Sequence, residues 1–90
     1  MALICIHAYV SGRVQGVWFR QSTKQAAVAE GINGWARNLP DGRVEVLLCG
    51  EETPAKRVAA WLYEGPDRSE VTGVEQTRRP YEDVAGFSTY

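Results

Sequence analysis

Ninety residues suffice for one hydrophobic core and are too few for two, so a single domain over residues 1–90 with one site is expected. A composition 44% hydrophobic and 23% charged excludes a disordered or fibrous chain. A formal net charge of −1 excludes a protein whose main task is neutralising a nucleic-acid backbone, and leaves any anion binding to local geometry.

The opening stretch from Met1 to Ala8 has no basic leader and too short an apolar run to span a bilayer, so a cytoplasmic protein with no membrane partner is expected. The first strand is expected over about Leu3 to Ser11, where Ile4, Ile6, Ala8 and Val10 alternate with Cys5, His7, Tyr9 and Ser11 in a half-buried pattern of period two. A helix follows over about Arg20 to Glu30. Phe19, Thr23, Ala26, Ala27 and Glu30 fall at helical spacing, and Gly31 is its stop. Strand two is expected over about Ile32 to Asn38, and Leu39-Pro40-Asp41-Gly42 has the composition of a tight turn.

Strand three is expected over about Arg43 to Cys49 with Gly50 ending it. Thr53-Pro54 reads as the N-cap and first residue of a second helix, whose buried stripe is Ala55, Val58, Ala59 and Leu62 before Gly65-Pro66. Strand four is placed at Val71 to Thr77, and Phe87-Ser88-Thr89-Tyr90 is expected to add a short edge strand. The order βαββαβ predicts an α+β, ferredoxin-like sandwich, a mixed, mainly antiparallel sheet in order 4-1-3-2 with two helices on one face.

The chemistry-bearing stretch is Gly12-Arg13-Val14-Gln15-Gly16-Val17-Trp18-Phe19-Arg20, between the first strand and the first helix. Its glycines let successive amides turn toward one anion. The helix start adds unpaired N–H groups and a favourable dipole. Arg20 brings a planar, permanently charged fork that holds two phosphoryl oxygens at once. On the glycines alone the stretch reads more readily as an ordinary strand-to-helix turn with a surface arginine. The Walker and dinucleotide glycine patterns do not occur there. The predicted topology brings the ends of strands one and two to the same sheet edge, on the order of 10 Å apart. Asn38 therefore shares an edge with Arg20, while an asparagine before Pro-Asp-Gly also commonly caps its own backbone.

Gly12 to Arg20 resembles the first signature of the acylphosphatase family. Gly34-Trp35-Ala36-Arg37-Asn38, with Gly42, Val44 and Gly50 beyond it, resembles the second; the two are correctly ordered and spaced in a chain of the family's usual length, and the resemblance covers nearly the whole sequence. The resemblance implies hydrolysis of a carboxyl–phosphate anhydride to carboxylate and inorganic phosphate, with no metal, no cofactor and no covalent phosphoenzyme. It assigns phosphate binding to Arg20 and to the amides of Gln15, Gly16, Val17, Trp18, Phe19 and Arg20, and orientation of the attacking water to Asn38. No protein general base is assigned. A small-molecule acyl phosphate is the implied partner and a monomer the implied state. The alternative is a non-catalytic acylphosphatase-like module that binds an anion or a protein.

An RNA-binding relative of the same topology would present aromatic residues on strand three, where the outward positions are Glu45, Leu47 and Cys49. Trp18 fills a position that the first signature leaves variable; shaping the pocket wall stays open for it, and with Trp35 and Trp61 it is expected more often to serve packing than ligand contact. Cys5 and Cys49 form no metal or redox motif. Antiparallel strands one and three set the start of one against the end of the other, which brings a Cys5–Cys49 disulfide within reach. A reducing cytoplasm argues the other way, and the pairing stays open.

Overall fold

The computed structural model describes residues 2–90. Its elements are β1 (Leu3–Arg13), α1 (Phe19–Ala29), β2 (Asn33–Asn38), β3 (Val44–Glu51), α2 (Glu52–Trp61), β4 (Glu70–Pro80) and β5 (Phe87–Thr89). The sheet order is β4-β1-β3-β2-β5. β3 runs antiparallel to both β1 and β2, which gives the ferredoxin-like α+β arrangement with β5 added parallel to β2.

Alternation in β1 and β3 builds the main core. Ile4, Ile6, Ala8 and Val10 lie with Val44, Val46 and Leu48 beneath Phe19 and Ala27 of α1 and Ala55, Val58 and Ala59 of α2. α1 ends where glycine was expected to stop it. Gly31 adopts φ +71°, its amide donates to Val28 and that of Ile32 donates to Ala27, a Schellman closure that satisfies the last carbonyls.

Three local expectations are corrected. β1 runs on to Arg13 because it keeps pairing with the start of β4 across an irregularity at Ser11/Gly12, and β4 runs on to Pro80 because Arg78, Arg79 and Pro80 pair with Ile6, Cys5 and Ile4. Gly50 lies inside β3 rather than ending it; a Cβ there would sit 2.7 Å from Ile32 Cδ1, so the glycine leaves room for a core side chain. Thr53 is not the cap of α2. The helix begins at Glu52 with Glu51 before it and no side-chain cap, and the carbonyl of Ala2 accepts from the Glu52 amide at 2.9 Å.

The face of the sheet away from the helices also departs from expectation. Cys5, His7, Glu45, Leu47 and Cys49 are buried, so the outward positions of β3 are not a free surface. Topology explains this for Cys5, Leu47 and Cys49, while His7 is flanked by the Tyr9 and Trp35 rings. β4 and β5 sit at opposite edges, so the chain between them must cross the sheet, and the helices already occupy one face. Four strand spacings make about 19 Å, which the six residues 81–86 just span when extended, at about 20 Å. Val84 packs there against Cys5, Leu47 and Cys49. Cys5 and Cys49 are direct cross-strand partners and are joined as a disulfide, with Cα atoms 4.1 Å apart.

Candidate active site

The loop between β1 and α1 is anchored from within. Val14, Val17 and Phe19 are buried, while Gly16 (φ +73°) and Trp18 (φ +64°) take left-handed backbone. This alternation of buried side chains and reversed backbone turns the peptide groups between them outward, as in an anion-binding nest. Among the described residues, nothing accepts a hydrogen bond from the amides of Gln15, Gly16, Val17, Trp18, Phe19 or Arg20; the first amide of this region with a backbone partner is that of Ser22, which donates to Trp18. Trp18 occupies the N-cap position of α1 without a side-chain cap, so the helix end offers its free amides to the same space.

Two tethers bring this loop to the end of β2. The Gln15 carboxamide donates to the carbonyl of Leu39 at 2.8 Å and to that of Arg43 at 3.0 Å, spanning the β2–β3 turn. Arg20 is half-buried and its Nη1 donates to the main-chain oxygen of Tyr90, whose amide donates in turn to Ala36 at 2.9 Å. One donor of the guanidinium is thus engaged, and the rest of the fork is available to a ligand. Asn38 stands between the two tethers. It is exposed at the end of β2, paired with Val44, and its carboxamide has no partner among the described residues, so it does not cap its own turn.

The turn after Asn38 closes by itself. Gly42 donates to Leu39 at 3.1 Å, and Asp41 accepts from the Arg43 amide at 3.0 Å and from its guanidinium at 2.7 Å. These bonds hold the Asp41 carboxyl below its ordinary range. Behind the site, on the covered face of the sheet, Glu45 accepts from His7 Nε2 at 2.6 Å and from Arg37 Nε at 2.5 Å. Burial alone would raise the Glu45 pKa, but the bonds to His7 and Arg37 and the charge of Arg37 outweigh it and hold it low. The Arg37 guanidinium also lies 5.3 Å from the Trp35 ring centroid. Among the described residues, no group of three His, Cys, Asp or Glu side chains is placed to hold a metal ion, and no helix is long and apolar enough to cross a membrane.

Of the tryptophans, Trp61 packs against Phe19 with ring centroids 5.8 Å apart, and Trp35 borders the smaller buried cluster. Trp18 does neither. It is 77% exposed, which corrects the expectation that it packs. The Gln15 side-chain tether and the His7–Glu45–Arg37 chain were not anticipated. Strand parity carried a signal for the second, since Arg37 and Glu45 are direct cross-strand partners; nothing in the sequence pointed to the first.

The acylphosphatase family model matches residues 6–89. The chain belongs to the acylphosphatase family. An acylphosphatase of Pseudomonas paraeruginosa is 58% identical over 97% of this chain and 96% of its own, and one of Pseudomonas aeruginosa is 54% identical over the same shares. Among solved structures, an acylphosphatase from Coxiella burnetii superposes with a TM-score of 0.93 at 39% identity, covering 98% of this chain and 93% of its own. With membership comes the enzyme class, acyl phosphate hydrolysis.

Proposed function

We propose that the chain is, by itself, the whole catalytic unit, a monomeric cytoplasmic hydrolase that cleaves small acyl phosphates by direct attack of water on phosphorus, without a metal. The observation that carries this reading is the run of six unpartnered amides from Gln15 to Arg20 beside a half-buried arginine. In this mechanism the amides and Arg20 hold the phosphoryl oxygens, and Asn38, with a free carboxamide at the same edge, orients the water. The water oxygen bonds to phosphorus, the P–O bond to the acyl group breaks, and its electron pair leaves on the carboxylate. One of the water's protons passes to a phosphoryl oxygen, since His7 and Glu45 are buried on the covered face of the sheet, away from the cradle.

Positioning and charge stabilisation supply the rate in this scheme, as expected for a loose phosphoryl-transfer transition state. The test is hydrolysis of benzoyl phosphate in excess chelator by the wild type, Arg20→Ala and Asn38→Ala. Retained wild-type activity is expected, with a drop of roughly 10²–10³ for Asn38→Ala, the usual consequence of removing one preorganised donor. Phosphate binding without turnover by folded wild type would instead mark a non-catalytic binding module.

A further inference from the structure

We infer that Trp18 determines specificity at the acyl end of the substrate, offering its indole as a face for planar, aromatic acyl groups. The inference rests on the acyl phosphate reading above and deepens it. The cradle holds the phosphoryl end only, and the acyl carbon is joined to phosphorus through a single bridging oxygen. A side chain projecting from the cradle's own rim is therefore the best placed to read the acyl group, ahead of the exposed Tyr90, which meets Arg20 through its main-chain oxygen.

The cradle side chains leave one candidate. Gly16 has none, and Val17 and Phe19 are buried at 5% and 1% exposure. Gln15 is tied to the β2–β3 turn, and Arg20 is bonded to Tyr90 and committed to phosphate. Trp18 is 77% exposed, and its indole has neither a hydrogen bond nor an aromatic partner among the described residues.

The backbone makes the presence of an indole here more informative. Trp18 sits at φ +64°, a left-handed conformation that a bulky L-residue enters only at a cost and glycine enters freely. Glycine at this position would present the same amide to the phosphoryl group without strain. The fold gains little packing from the side chain, and the cradle needs only the N–H. What the indole contributes lies outside the protein, as an aromatic surface beside the bound anhydride.

The experiment compares kcat/KM for benzoyl phosphate and acetyl phosphate in the wild type, Trp18→Gly and Trp18→Phe, with inorganic phosphate as a competitive inhibitor reporting the cradle itself. The benzoyl-to-acetyl ratio cancels any loss common to both substrates, including one caused by a shifted loop amide. Trp18→Gly, which relieves backbone strain, is expected to lower that ratio about 3- to 10-fold, the rate equivalent of one aromatic contact. Trp18→Phe is expected to keep most of it. A ratio unchanged in Trp18→Gly, or one that falls as far in Trp18→Phe, overturns the assignment while leaving the hydrolase reading intact. Absence of turnover of either substrate by folded wild type removes the hydrolase reading and the acyl role with it.

Discussion

Removing the Glu45 carboxylate is the most discriminating test of how the covered face of the sheet is held. Glu45 is 6% exposed and accepts two hydrogen bonds, from His7 Nε2 at 2.6 Å and Arg37 Nε at 2.5 Å. A carboxylate only accepts, so His7 carries its proton on Nε2. In Glu45→Ala that N–H, on a residue 3% exposed, loses its acceptor where water does not readily replace it. The penalty for such an orphaned donor is about 1–3 kcal/mol. The Arg37 partner is 52% exposed, so its half of the interaction is screened and adds no more than about 1 kcal/mol. The sum is a loss of roughly 1–4 kcal/mol, measured by urea unfolding at neutral pH. The pH dependence gives a second readout. The folded-state pKa of Glu45 lies below its ordinary value of 4.5, so the unfolded chain binds more protons between the two values. Its contribution to stability is then complete above about pH 4.5 and is lost as the pH falls through the folded value. Glu45→Gln should flatten that acid limb. A Glu45→Ala protein within about 0.5 kcal/mol of wild type would refute the reasoning.

Arg20→Lys keeps the charge and loses the fork; kcat/KM for acyl phosphate should fall at least about 10-fold, and near-full activity would show that bidentate binding is not its role. Gly12→Ala places a Cβ 2.1 Å from the Glu70 carbonyl oxygen at φ +117°, so it should cost roughly 2–5 kcal/mol in urea unfolding from strain and overpacking together; a loss under about 1 kcal/mol would mean that the β1–β4 irregularity simply shifts. Reducing the Cys5–Cys49 bond, which joins residues separated by 44 positions, should lower stability by about 4 kcal/mol or less in the loop-entropy model, read from unfolding curves with and without reductant. Identical curves would show that the cross-link does not restrict the unfolded chain.

What the sequence made legible was whatever is encoded locally. The period-two alternation of Ile4 to Val10, the glycine stop at Gly31 and the Pro-Asp-Gly turn each act within a few residues, and the elements form there. The candidate cradle could be picked out for the same reason, since its glycines, amides and arginine are contiguous, and its role belongs to the proposal above. The covered face was not. Its burial follows from residues 81–86 crossing between two edge strands, a requirement that exists only once the strand order is known. The misplaced cap at Thr53 has a similar origin, because a carbonyl from Ala2, some fifty positions away in sequence, meets the first helical amide. Trp18 escaped because an exposed tryptophan cannot be told from a buried one by composition; the left-handed backbone that turns it outward is set by the loop as a whole.

The two faces of the sheet meet at the dipeptide Arg37-Asn38. Strand alternation sends adjacent side chains to opposite faces, so Arg37 lies over the covered side while Asn38 belongs to the side of α1 and the cradle. Asn38 is exposed and its carboxamide free, which by itself would leave it poorly placed for orienting a water. Its backbone, however, is held from three directions. Pairing with Val44 fixes it along β3, the Glu45–Arg37 bond grips the preceding residue, and the Gln15 carboxamide grips the following one through the Leu39 carbonyl. In the proposed mechanism this constrained backbone narrows the region that the carboxamide can reach, while its exposure keeps it open to solvent water. Preorganisation of this kind is what the proposed mechanism, driven by positioning and electrostatics, demands, and its supports would lie on the covered face of the sheet as well as in the candidate cradle.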